Sequence, residues 1–282
     1  MLCYNSRMKL LFALLLLNCP LQAQPLPEAC ADEPVIRMGD MLVETGQGFG
    51  NEKGAVKTTT RLWEDGVIGF DFSESIPYKN RLALLDACGR WSEVSGARCQ
   101  EGAYHGRALK VTSEDSLGCF ALWGMGSNFI VLSRWMNLGD GCWSEPVLVH
   151  ELGHAFGLIH EHQRPDRDAF VSILRENVDD PYFGLQFDVN YDRQEAILLT
   201  PYDFTSIMHY SRRAGSKNGK DTLVPLPPYR QYIDVIGRVK KLSPNDGRSM
   251  AALYGPPQPR RNTAGLKSSA KRIERVSRGV LR

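Results

Sequence analysis

From Val67 to Phe72 the chain reads "VIGFDF", an apolar run that passes into alternation and predicts a strand. Next, "YKNRLALLDACGRWSEVSG" places Leu82, Leu85, Cys88 or Gly89, and Ser92 at helical steps, with Leu84, Cys88 and Trp91 alongside. This pattern predicts one amphipathic helix, stopped by Gly96. Ala108–Thr112 and Asn128–Ser133 read as strands. Ser144 can cap a further helix whose first turn tolerates Pro146, and Val147, Leu148, Leu152 and Phe156 continue it. Near the end, Ser243, Pro244 and Asp246 form a helix start, Met250 and Leu253 an apolar face, and Gly255 a stop. Residues 24–60 are rich in Gly, Pro and Thr with little periodicity. They read as an extended leader, with regular structure starting near Trp63. Helix and strand are segregated rather than alternating and no repeat is present, which predicts an α+β fold.

The two ends change the picture. Arg7 and Lys9 precede eight apolar residues, Leu10–Leu17, and small Ala23 follows. That run is too short to span a bilayer but suits the core of a signal peptide, with cleavage near Ala23. The expectation is a secreted protein, residues 1–23 being its signal peptide, with no stable membrane insertion. Pro256–Arg282 holds eight Lys/Arg and one acid, so this tail is +7 while the whole chain is +2. With three prolines and few bulky apolar residues, 256–282 reads as a basic disordered tail. The small net charge gives no sign of a nucleic-acid partner. Export leaves Cys30, Cys88, Cys99, Cys119 and Cys142 in an oxidising compartment, where bridges persist. Five is odd, so one thiol is spare, and no C-x-x-C pair suggests a zinc ribbon.

Four of the chain's six histidines lie in "HELGHAFGLIHEH", His150–His162. On one helix His150 and His154 are four apart, so both imidazoles leave the same face and can grip one ion. His160 lies six residues further on, roughly 9 Å along a continuing axis and about 120° away. A shared metal therefore requires the helix to stop between them. Gly157 sits where a left-handed residue can end it. Three neutral histidines leave a fourth position open, the arrangement of a catalytic rather than a structural Zn2+ site. Glu151 leaves the helix about 100° from His150, beside the metal but off the ligand face. A carboxylate there can take a proton from water and deliver it to a leaving amine. Chance would give HExxHxxGxxH in about one of 10⁵ chains of this size and usual glycine content. His162 and His105 lie outside this spacing and are expected at the surface.

With the later "SIMHYS", the eleven-residue pattern is the metzincin signature. Glu161 after the third histidine and the continuation Arg164, Asp166, Arg167 and Asp168 resemble the astacin family of zinc endopeptidases. "RLWEDGVI" and "IGRVKKLSPND" resemble the start and end of that domain, so the likeness covers about 54–255. It implies a twisted N-terminal sheet with two helices, facing an irregular C-terminal half across an active-site cleft. It also implies zinc on His150, His154 and His160, Glu151 as general base, and Met208 as a hydrophobic floor beneath the metal. Tyr210 would stabilise the oxyanion. Arg164, Asp166 and Asp168 are expected in a buried ion network. The substrates implied are proteins or peptides, and the enzyme a monomer. Cys119 and Cys142 match a family disulfide. The family's other bridge has no C-terminal cysteine here, and Cys88 is the available substitute partner for Cys99.

The leader contains "RMGD", which resembles the F-x-G-D prosegment motif whose aspartate occupies the zinc, although Arg37 replaces the aromatic. Asp40 is one candidate latency switch. The spare thiol Cys30 is a second, since a thiolate is an excellent zinc ligand. A Gly-Asp turn with no blocking role is the third reading. The family's spacing places the end of the prosegment, 24–53, at Lys53, so that Glu161 would receive a new ammonium near Gly54. Arg212, Arg213 and Lys217 could favour acidic residues after the scissile bond or could simply be a solvated basic loop. A zinc-binding module that has lost catalysis is the alternative function, and intact Glu151 and Tyr210 argue against it. A hydrolase of a cell-wall amide would share the chemistry but not the family resemblance.

Overall fold

Val35–Met38 (β1) and Met41–Glu44 (β2) pair as an antiparallel hairpin within the stretch expected to be an aperiodic leader. The computed structural model describes residues 35–38, 40–44, 61–126, 134–179, 184–187 and 198–259. Cys30, the signal peptide, the tail beyond residue 259 and the strand expected at 128–133 lie outside those residues.

Val67–Phe72 forms β3, and its first four residues are buried without alternation. A strand covered on both faces needs consecutive apolar positions, the demand made by parallel sheets. Tyr78–Val94 forms α1, followed by β4 (Arg98–Glu101), β5 (Leu109–Thr112), β6 (Cys119–Leu122) and β7 (Trp135–Leu138). The sheet order is β1-β2-β6-β7-β5-β3-β4. Within it β6 runs antiparallel to β7, and β2 adds parallel to β6. Among the described residues, this hairpin alone pairs with that edge of β6. After α2 (Glu145–Ala155) come a short antiparallel pair, β8 (Val171–Ile173) with β9 (Leu223–Pro225), and α3 (Pro244–Tyr254). Among the described residues no helix is long and apolar enough to cross a membrane.

The main core lies where α1 and α2 pack on the sheet, with Ile68, Phe70, Leu84, Trp91, Val111, Phe120, Leu148 and Leu152 buried together. On α1 the buried face is Leu84, Ala87, Cys88 and Trp91, whereas Leu82 is 42% exposed. At 3.6 residues per turn Leu82 falls nearly opposite Leu84, so only the second stripe of the pattern faces inward. Trp91 Nε1 donates to Val149 O at 2.9 Å, fixing α1 to the metal-site helix. A second cluster, including Val171, Phe187, Tyr202, Phe204 and Ile236, serves the C-terminal half. That half returns to the first through α3, where Tyr254 Oη donates to Phe156 O at 2.8 Å.

Two disulfides brace this frame, Cys88–Cys99 and Cys119–Cys142. The second joins β6 to the turn before α2 and closes a loop with a sequence separation of 23. On a chain-entropy basis such a loop contributes about 3 kcal/mol. Replacing both cysteines by alanine should lower unfolding free energy by about that amount, measured by urea denaturation under oxidising conditions. An unchanged midpoint would mean that the bridge adds nothing.

Candidate metal centre

Ser144, extended at φ −81° and ψ 143°, precedes α2, and Pro146 occupies its first turn as expected. Its hydroxyl makes no capping bond, so the helix start rests on the backbone and on the proline's fixed φ. The helix ends at Ala155 in a Schellman turn, with Gly157 N donating to His154 O at 2.8 Å and Leu158 N to Gly153 O at 2.9 Å. Gly157 holds φ at +106° there, a value that a side chain would strain. The chain then reverses, and extended His160 (φ −63°, ψ 139°) faces the helix it has left.

This reversal brings His150 Nε2 and His160 Nε2 each to 3.1 Å from His154 Nε2. Each ring's other nitrogen faces an oxygen. His150 Nδ1 lies 2.8 Å from Ile207 O, His154 Nδ1 2.9 Å from Leu158 O, and His160 Nδ1 3.0 Å from Gln163 Oε1. A carbonyl only accepts, so Nδ1 carries the proton in each neutral ring and all three Nε2 atoms present lone pairs to one another. Lone pairs on His150 and His160, each 3.1 Å from that on His154, repel unless a cation lies among them. The spacing is close to the ~3.3 Å edge of a tetrahedron with ~2 Å zinc–nitrogen bonds. The donor set therefore fits Zn2+.

Asp40, in the turn between β1 and β2, completes the group. Its carboxylate lies 3.0 Å from His160 Nε2, 3.3 Å from His150 Nε2 and 3.8 Å from His154 Nε2. Together the four residues form the one potential metal-binding group among those described. Burial alone would raise the Asp40 carboxyl, but the histidines outweigh it and hold it well below the ordinary range. Burial likewise opposes the charged form of His150, and the Asp40 carboxylate wins, raising that ring to about 9; the added proton would sit on Nε2, the position a bound Zn2+ would take instead. Burial and the two other rings push His154 well below the ordinary histidine value. A backbone bond and a neighbouring buried side chain hold Asp40 in place. Asp40 O accepts from Ala121 N at 2.9 Å, and buried Met41 packs with Trp123 and Ile159. Trp123 Nε1 also donates to Gly157 O at 2.7 Å, linking this anchor to the helix-ending turn.

Glu151 is buried, at 2% exposure, beside His150 on α2, and its charge contributes to the field at that ring. Met208 lies under the helix so closely that a methyl on Gly153 would meet its Sδ. Tyr210 Oη donates towards Asp40 Oδ1 at 3.3 Å and Gln186 Oε1 at 3.4 Å. Glu161 is buried as well, and its Oε1 accepts from Arg164 Nη1 at 2.9 Å and Asp203 N at 2.8 Å. Burial nevertheless outweighs Arg164 and pushes its carboxyl up to about 8.

The structure departs from the sequence reading in two places here. His162, expected at the surface, is fully buried; its Nε2 donates to Gln186 O at 3.0 Å, and its ring stacks on Tyr210 at 4.3 Å. The cause is the 3-10 turn Glu161–Gln163, which directs the residue after Glu161 inward under the C-terminal half. His105 is half-exposed, as expected. Of the proposed ion network, Arg164 is buried and binds Asp166 through two hydrogen bonds of 2.9 Å. Asp168, by contrast, is a 75% exposed partner of Arg167, because it stands on the outer side of the next 3-10 turn. Arg212 and Arg213 share the one carboxylate of Asp221, at 3.1 and 3.2 Å, which leaves this loop net basic, as read from the sequence.

Sequence reasoning misses Gln163 and Gln186. Gln163 stands three residues after His160, a spacing at which a 3-10 turn returns the side chain to its origin. That signal is present in the sequence. Gln186 carries none, since its place beside Tyr210 depends on distant chain packing.

Comparison with known proteins agrees with this geometry. A model of the astacin peptidase family matches residues 55–255. Zinc metalloproteinase nas-13 of Caenorhabditis elegans is 31% identical over 235 residues, 82% of this chain and 49% of that protein. Bone morphogenetic protein 1 of Xenopus laevis is 32% identical over 202 residues, 69% of this chain and 27% of that protein. The chain thus spans less than half the length of these two curated relatives. High choriolytic enzyme 1, a hatching enzyme zinc-protease from the medaka Oryzias latipes, superposes with a TM-score of 0.58 at 27% identity. That likeness covers 69% of this chain and 93% of the medaka chain. The family match runs from ahead of β3 to the end of α3 and takes in every histidine of the centre: the chain belongs to the astacin family.

Proposed function

We propose that this chain is the precursor of a secreted zinc endopeptidase that cleaves protein or peptide substrates. Residues 1–23 are its signal peptide, 24–53 its prosegment, 54–255 the catalytic domain and 256–282 a basic tail. The observation that carries the reading is the convergence of three histidine lone pairs, faced by a carboxylate from the leader. The two disulfides suit an oxidising, extracellular location.

His150, His154 and His160 would hold one zinc per chain, and Met208 packs against Gly153 of the helix that carries two of them. Bound there, zinc supplies Lewis acidity towards a carbonyl and brings a water proton within reach near neutral pH. Glu151 accepts that proton and passes it to the leaving amine nitrogen. Tyr210 donates its hydroxyl hydrogen to the charge that develops on the carbonyl oxygen. With the leader gone, β6 is an open edge on which an extended substrate can pair. Glu161, whose carboxyl already accepts from Arg164, would be held in its ionised form by the cationic amino terminus created near Gly54.

The reading is tested on the purified chain by metal analysis and by incubation with casein and with peptidoglycan, before and after trimming near Lys53. One zinc per chain and casein cleavage after trimming are expected. Peptidoglycan hydrolysis with intact casein would overturn the substrate class. Tyr210→Phe should keep its zinc and lower turnover by about 10²-fold, as loss of an oxyanion donor does. An unchanged kcat would leave Tyr210 as a core aromatic stacked on His162.

A further inference from the structure

Asp246 is a buried carboxylate outside the metal centre, at the start of α3. As a helix cap it needs only its reciprocal bonds with Ser243, in which Ser243 N donates to Asp246 Oδ2 at 2.8 Å and Asp246 N to Ser243 Oγ at 3.0 Å. It makes two further contacts. Ile207 N donates to Oδ2 at 2.9 Å, and Ser206 Oγ donates to Oδ1 at 2.6 Å. Each of these carboxylate partners is a donor, the pattern an ionised acid selects.

From Ser206 the bonds lead inward. Ser206 Oγ accepts from Met208 N at 3.0 Å, and the same peptide group's carbonyl, Ile207 O, accepts from His150 Nδ1 at 2.8 Å. The links run in one sense: the His150 ring donates to the Ile207–Met208 peptide, the peptide to the Ser206 hydroxyl, and the hydroxyl to Asp246. Chains of this kind polarise each successive bond. The effect at the far end is that of a carboxylate placed directly behind a metal-binding histidine, which fixes its tautomer and raises its basicity. His160 differs, because its acceptor Gln163 has its own Nε2 buried without a hydrogen-bond partner.

We infer that Asp246, acting through Ser206 and the Ile207–Met208 peptide, is the remote carboxylate that positions His150 and strengthens its grip on the metal. It is a positioning residue, some forty positions along the chain from the turn it controls. The inference rests on the reading of His150 as a zinc ligand.

The test uses the full chain, stripped of metal and titrated with Zn2+ against a chromophoric chelator, and with Co2+ while the visible spectrum is recorded. Ser206→Ala breaks the chain of bonds but leaves the α3 cap intact, and Asp246→Asn breaks both. Each single variant should bind zinc about 10- to 100-fold more weakly and show an altered Co2+ spectrum. The double variant should bind no more weakly than Asp246→Asn, because one chain can be broken only once. If Asp246→Asn does not fold, Ser206→Ala alone decides. Wild-type zinc affinity and Co2+ spectrum in Ser206→Ala would overturn the inference. A wild-type chain that binds no zinc would remove the premise instead, so the two failures can be told apart.

Discussion

Glu151→Gln should hold one zinc per chain and lose peptide hydrolysis by about 10²- to 10⁴-fold, the range that a positioned proton acceptor contributes. Glutamine matches glutamate in size, so a side chain at 2% exposure can be replaced without opening a cavity. What disappears is the site that takes a proton from water, while all three histidine nitrogens keep their places and partners. Metal content and kcat, measured on the same trimmed protein, separate the two effects. A variant that keeps its zinc and at least about a tenth of its turnover would remove Glu151 from the base role. A variant that loses its zinc as well would show that the side chain supports the ligands.

Asp40→Ala in the uncleaved chain should give the second large change, in the opposite direction. The carboxylate faces three histidine nitrogens at 3.0 to 3.8 Å and accepts from the Tyr210 hydroxyl, so in the proposed reading it would cover both the metal's open side and the oxyanion donor. Hydrogen bonds to charged groups contribute about 1.5–3 kcal/mol, so the activity of the intact chain should rise about 10- to 100-fold. Release should stop short of the trimmed enzyme, because β2 still covers β6 and Met41 remains buried. Peptide hydrolysis by uncleaved Asp40→Ala and Cys30→Ala proteins decides between the candidate switches. Release by Cys30→Ala alone would assign the block to the thiol, and release by neither would mean that the leader does not act through the metal.

The histidine centre was legible because its constraints are local. The spacing of His150 and His154, the required stop at Gly157 and the return of His160 follow from helix geometry within eleven residues. Long elements with a single period, α1, α2 and α3, were readable for the same reason. Of the strands of three or four residues only β5 was readable. β2 and β6 find each other across about eighty residues of chain, and most such short strands hold too little alternation to announce themselves. His162 failed for a related cause: in a 3-10 turn no apolar period marks which side chain points inward. Leu82 shows the converse, since an apolar residue on a helix says nothing of which stripe will be covered. The link from His150 to Asp246 lay beyond reach, as its middle member is a backbone peptide and leaves no trace in residue identity.

If the leader inhibits as proposed, the seating of β2 on β6 would make that inhibition a matter of tethering rather than of affinity. A strand joined covalently to its own edge competes at an effective concentration on the order of millimolar, whatever the dilution of the protein. Free substrate peptides at lower concentrations cannot displace it, and no amount of dilution loosens it. A single cut near Lys53 would convert the same strand into a separate molecule at the concentration of the enzyme itself. The hairpin would then be free to diffuse away, with reassembly opposed by mass action. Activation of such a protein would be one-way, with proteolysis supplying the direction.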